Sequence, residues 1–213
     1  MTYRWDTWDK KGLQRAAKIG KTAARLFSRK GYLETTMDEI AAAAKTSKGG
    51  MYYYFPSKSE ILFYVLFHYM ERALDHLEHD LGQIQDDPQR LAFVISRHIQ
   101  IYASHVPEAR VLLHEAHCLP PKYFKVIAGK ERIYYQVVRQ VLSGLLGQSV
   151  PQAQLTVVTF SLFGMCNWIY SWYDPKGPVT PAELSRIIYN MFMGGVHGFS
   201  TSKSTTNPNR TSG

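Results

Sequence analysis

Between Ser47 and Lys58 the 213-residue chain places two lysines, two adjacent glycines, two serines and three successive tyrosines. These side chains suit contact with a polyanion. An ammonium group donates to guanine O6 and N7 or to phosphate. Tyrosine and serine hydroxyls bond phosphate oxygens, which positions a protein without reading sequence. Paired glycines let a backbone approach closely, at about 1 kcal/mol each in helix propensity. Chemistry of the reactive kind is harder to find. The sequence has no phosphate-cradling glycine loop, nucleophile elbow or paired-carboxylate arrangement, so no enzymatic activity and no cofactor are expected. His114, His117 and Cys118 lack the spacing of a metal site, and no metal is expected either.

A short helix over 48–55 must carry the tyrosines, with Ser47 as its cap. Met51 and Phe55, at i and i+4, would anchor it and leave Lys48, Gly49, Gly50, Tyr52, Tyr53 and Tyr54 facing outward. Before it, Thr36 and Glu39 form a capping box for a helix over 37–44, whose Met37, Ile40, Ala41 and Ala44 share one face. Lys45-Thr46 provide a tight turn. Two short helices joined in this way make a helix-turn-helix, whose second helix enters the major groove. A longer helix over 10–29 gathers Lys11, Arg15, Lys18, Arg25 and Arg29 on one side and Leu13, Ala16, Gly20, Ala24 and Phe27 on the other. Lys58, just past Pro56-Ser57, stands at a helix N-terminus suited to phosphate. Arg4, Lys10 and Lys11 could form an arm reaching a groove. The charge agrees with this reading: of a formal net +8, residues 1–60 carry +6 and residues 61–198 carry none.

The rest of the chain also reads as helix, over 58–81, 88–105, 107–118, 122–146, 152–173 and 181–198, giving an all-α fold. Ser57–Glu60 and Thr180–Glu183 are further capping boxes, and Asp87 is a candidate N-cap. The expected organisation is a helix-turn-helix DNA-binding domain over 1–56, a ligand-binding and dimerisation domain over 57–199, and a disordered tail over 200–213. No charge lies between Arg139 and Asp174, but interspersed Thr, Ser and Asn argue against a membrane span. A helix apolar all round needs cover on every side. Here that means core on one face and a second subunit on the other, with helix 181–198 completing a four-helix homodimer interface. Two cysteines, Cys118 and Cys166, are too few for a disulfide framework, and no apolar leader opens the chain. The expected location is cytoplasmic, with no membrane partner.

The blocks F-S-R-K-G-Y, T-T-M-D-E-I-A, S-K-G-G-M-Y-Y-Y-F and P-S-K-S-E-I-L, at these spacings, resemble the N-terminal domain of the TetR/AcrR family of bacterial transcriptional regulators. The resemblance covers about the first third of the chain. It implies a homodimer on a partly palindromic double-stranded DNA operator and a C-terminal domain holding an inducer. By position it implies that Thr36 contacts phosphate, that Lys48 and Gly50 face base edges, and that Tyr52 lies on the groove wall. Tyr53, Tyr54 and Lys58 would meet the backbone. Gly50 stands where the family often has a hydroxyl or methyl, and Tyr54 replaces a common His. Residues 164–184, G-M-C-N-W-I-Y-S-W-Y-D-P-K-G-P-V-T-P-A-E-L, also resemble those regulators of the family that respond to acyl-CoA thioesters.

That second resemblance implies a small hydrophobic inducer of acyl-CoA type. His98, Tyr102, Tyr134, Phe163, Asn167 and Trp168 are the candidate wall, with Lys122, Lys125, Arg132 and Arg139 at the mouth. The inducer would move helix 58–81 and spoil the spacing of the two reading heads. Two alternatives stay open. One is a multidrug-type sensor with a polyspecific aromatic pocket. The other is a small-molecule-binding module that needs no DNA.

Overall fold

The structure is a computed structural model that describes residues 2–147 and 149–201, with backbone alone for 196–201. Most of the expected tail over 200–213 lies outside the described residues. Every regular element among the described residues is helical. The helices are α1 (Lys10–Lys30), α2 (Met37–Ala44), α3 (Lys48–Tyr54), α4 (Lys58–Leu74), α5 (Leu77–Gly82), α6 (Asp87–Ser104), α7 (Val106–Glu115), α8 (Pro121–Leu146), α9 (Gln152–Asn167) and α10 (Pro181–Thr201). Short 3-10 turns lie at Arg4–Thr7, Ala116–Cys118 and Trp168–Ser171. The described residues divide into two compact units, those within 1–77 and 104–134 and those within 78–103 and 135–213.

In the first unit α1 packs against α2, α4 and α7. Its buried side is Ala16, Ile19, Gly20, Ala23, Ala24 and Phe27, while Leu13, expected on that side, is 41% exposed. Small residues bring α4 close: a Cβ on Gly20 would lie 3.0 Å from the Tyr64 ring. The segment before α1 is no free arm. Trp5 is buried and stacks on Tyr3, and both rings pack on Phe63 and Phe67 of α4.

The expected helix 58–81 is broken. Asp75 closes α4 through its N–H to the Glu71 carbonyl, and His76 takes a left-handed φ of 53° before α5 begins. Only one of the two capping-box bonds forms at Ser57: its hydroxyl accepts from the Glu60 N–H, but the Glu60 carboxylate accepts from the Tyr123 hydroxyl at 3.3 Å instead of turning back. The α6 cap is Asp86, whose carboxylate accepts from the Gln89 N–H, and not Asp87.

In the second unit Asp87 leans over Gly144 of α8, where a Cβ would sit 2.9 Å from its carboxylate and push it aside. The capping box Thr180–Glu183 forms as expected, in both directions. The expected helix 152–173 stops at Asn167 and continues as a 3-10 turn. It is not buried on all sides of the single chain: Leu155, Thr159, Leu162 and Cys166 face the core, while Val157, Phe160 and, in the turn, Trp168 are each more than 60% exposed. Among the described residues no helix is long and apolar enough to cross a membrane.

Candidate nucleic-acid interface and ligand site

Three backbone carbonyl sets decide how α2 and α3 are held. The Lys58 ammonium donates to the carbonyls of Tyr32, Leu33 and Thr35 at 2.8, 3.1 and 2.8 Å, and lies 4.4 Å from the centre of the Tyr32 ring. Arg15 of α1 donates to the Lys45 carbonyl in the turn between α2 and α3, where Lys45 is left-handed. Arg4 donates to the Tyr53 carbonyl near the end of α3. These cations fix the approach to α2, the turn and the end of α3. All three Lys58 donors face inward, toward the turn before α2.

At the start of α2 the capping box is complete. Thr36 N–H donates to the Glu39 carboxylate at 2.8 Å, and Glu39 N–H donates to the Thr36 hydroxyl at 3.2 Å. Lys30 adds an ion pair at 2.5 Å. Together the Lys30 and Thr36 bonds hold the Glu39 carboxyl down to about 2. The Thr36 hydroxyl stays exposed at this helix N-terminus.

In α3 the Ser47 hydroxyl accepts from the Gly50 N–H, while Met51 and Phe55 are fully buried as anchors. Lys48, Gly49, Tyr52 and Tyr53 are exposed on the other side. Lys48 pairs with Asp38 at 3.2 Å, with both side chains 68% exposed. Such a solvated pair is weak enough to open for a stronger anion. The two glycines differ. A Cβ on Gly49 would meet nothing within 4 Å, so its bareness is available to an incoming surface, whereas one on Gly50 would press on the Thr46 and Ser47 hydroxyls at 3.0 and 3.1 Å. Tyr54 is half-buried, edge-on to Trp8 and Tyr53. Sequence reasoning missed the holding roles of Arg4 and Arg15, and of Trp8 against α3. Nothing in local spacing marks contacts that span about thirty to fifty residues.

The residues proposed for ligand separate into groups. In the second unit His98 hydrogen-bonds Asn167 and lies 6.3 Å, ring to ring, from Phe163. Desolvation pushes its imidazole down to about 4, against that hydrogen bond. Tyr102 is fully buried in the same unit. Tyr134 is buried in the first unit. Trp168 is 62% exposed and packs edge-on to Tyr170, outside the His98–Asn167 cluster. Lys122, Lys125 and Arg132 are exposed on α8, and Arg139 donates to Gln152. Burial pushes the Cys166 thiol up to about 12, which makes it inert.

Residues 19–65 match the model of the bacterial regulatory proteins of the tetR family, and residues 85–196 match that of the tetracyclin repressor-like C-terminal domain. The HTH-type transcriptional regulator EthR of Mycolicibacterium smegmatis is 34% identical over 196 residues, 88% of each chain. A 59-residue match to a Bacillus subtilis HTH-type regulator, YuxN, spans only 20% of that relative. A TetR-family regulator from Bordetella parapertussis superposes with a TM-score of 0.80 at 28% identity, covering 87% of this chain and 95% of that one. AibR, solved with isovaleryl coenzyme A and operator DNA, superposes at 0.73 and 28%, covering 83% and 97%. The chain belongs to the TetR family of transcriptional regulators, with its helix-turn-helix in α2 and α3.

Proposed function

We propose that the protein is a homodimeric repressor that holds a palindromic operator through α3 and leaves it when an acyl-CoA thioester binds. The observation that carries the DNA half is α3 itself: a helix pinned by buried Met51 and Phe55 that turns Lys48, Gly49, Tyr52 and Tyr53 to solvent. Lys48 reads a base edge or phosphate, Gly49 allows close approach, and Thr36, Ser47 and Tyr53 meet phosphates. Gly50 shapes the turn, while Tyr54 and Lys58 brace the head. The dimer uses the exposed apolar side of α9 and α10, with Val157, Phe160, Ile187 and Met191.

The inducer half rests on the likeness to AibR, whose structure contains isovaleryl coenzyme A and operator DNA, and on the half-buried His98–Asn167–Phe163 cluster. A neutral imidazole bonded to an amide is a polar fixture in an otherwise apolar neighbourhood, suited to orienting an acyl thioester. The test is release of the protein from an operator selected out of genomic fragments. An acyl-CoA series should raise the operator Kd at least tenfold, and operator should weaken acyl-CoA binding by the same factor. Release by cationic dyes but not by acyl-CoA would support the multidrug reading instead.

A further inference from the structure

A separate cavity of about 380 Å³ lies wholly within the first unit, where α1, α4 and the start of α7 meet. Its charge is one-sided. Lys21 and Arg25 of α1 and Arg72 of α4 line it against a single carboxylate, Glu108. Two further features border the same space. The N-terminus of α7 opens on it, with His105 at the N-cap position giving no side-chain cap and Pro107 in the first turn. The wall also includes His68, whose Nε2 is buried and meets no hydrogen-bonding partner in the protein.

Cations, an uncapped helix start and a buried unsatisfied imidazole nitrogen are complementary to the same kind of guest. The helix start presents backbone N–H groups and a partial positive charge to an anion. A buried nitrogen without a partner costs free energy that a bound oxygen would recover. The concavity is too small for a duplex, so the guest is a small anion. We propose that this cavity is an anion site for a phosphate or diphosphate group. Lys21, Arg25 and Arg72 neutralise it, and His68 and the N–H groups at the start of α7 other than Pro107, which has none, donate to it. The site is built from residues of the first unit alone, none of them in the His98–Asn167 cluster, and does not depend on the acyl-CoA reading. The group is supplied by a free phosphorylated metabolite or by the diphosphate of a coenzyme A compound.

Calorimetric titration of the full-length protein with sodium diphosphate at low ionic strength tests it. The expected result is saturable binding at one diphosphate per chain. Lys21→Met and Arg72→Met should each weaken it at least tenfold, and Lys176→Met, an exposed cation of the other unit, should leave it within twofold. Thermal unfolding checks each variant, and exposed Lys21 keeps the test intact should Arg72→Met fail to fold. A second titration, with coenzyme A, separates the sources. Parallel loss of affinity in the Lys21 and Arg72 variants assigns the site to its phosphates, whereas loss for diphosphate alone assigns it to a free metabolite. Absence of diphosphate binding at millimolar concentration, or equal weakening by Lys176→Met, overturns the proposal.

Discussion

Lys58 and Glu39 do their work through bonds to the protein's own backbone. With its three donors on the carbonyls before α2, Lys58 is a brace, and Lys58→Met should cost about 1–3 kcal/mol of stability in urea unfolding. The salt dependence of operator binding should stay unchanged, whereas a slope reduced by about one charge would give Lys58 the phosphate contact that its position suggests. Glu39 sets an acid limit. Its folded-state carboxyl titrates near 2, below the ordinary 4.5, so its contribution is complete above pH 4.5 and is lost as pH falls toward 2. Glu39→Gln should therefore flatten the plot of Tm against pH within that window. Thr36-x-x-Glu39 is legible in the sequence because a capping box is local. The Lys58 brace is not, since its flexible stem reaches back about 25 residues to carbonyls that only the folded turn assembles.

The seam between α1 and α4 depends on Gly20. The Tyr64 ring that a Cβ would meet at 3.0 Å is itself packed against Trp5, Phe55 and His68, which resist its displacement. Gly20→Ala should gain about 1 kcal/mol of helix propensity and lose about 1–3 kcal/mol to overpacking. A lower Tm than wild type is the expected net result, and a higher one would show that the seam tolerates a methyl. Helix periodicity made most elements readable, and α2, α3 and α10 begin where their capping residues indicate. The break at Asp75-His76 was hidden because no glycine or proline marks it. The apolar spacing of Leu74, Leu77 and Leu81 also runs on across it. The docking of Trp5 and Trp8 was equally hidden, since an N-terminal aromatic gives no sign of which helix will receive it.

At the scale of the whole molecule, a charge-free run that reads as buried on every side emerges as a helix with one uncovered apolar face. Phe160 on that face is 61% exposed, and Ile187 and Met191 of α10 are exposed as well. If the proposed dimer forms through this face, wild type should sediment as a dimer and Phe160→Glu as a monomer at micromolar concentration, with helical content kept. The charge asymmetry between residues 1–60 and the body could be counted from the sequence. The grouping of His98, Asn167 and Phe163 could not, because it depends on how α6 and α9 are packed. Operator recognition through α3 is tested most directly by fluorescence anisotropy titration of a selected palindromic operator with wild type, Lys48→Ala and Tyr52→Ala. The expected result is two chains per site, binding that weakens with salt, and a loss of about 1–3 kcal/mol for Lys48→Ala with relaxed sequence preference, with Tyr52→Ala also weakened. Wild-type affinity and preference in both variants, or no preferred site at low salt, would contradict it.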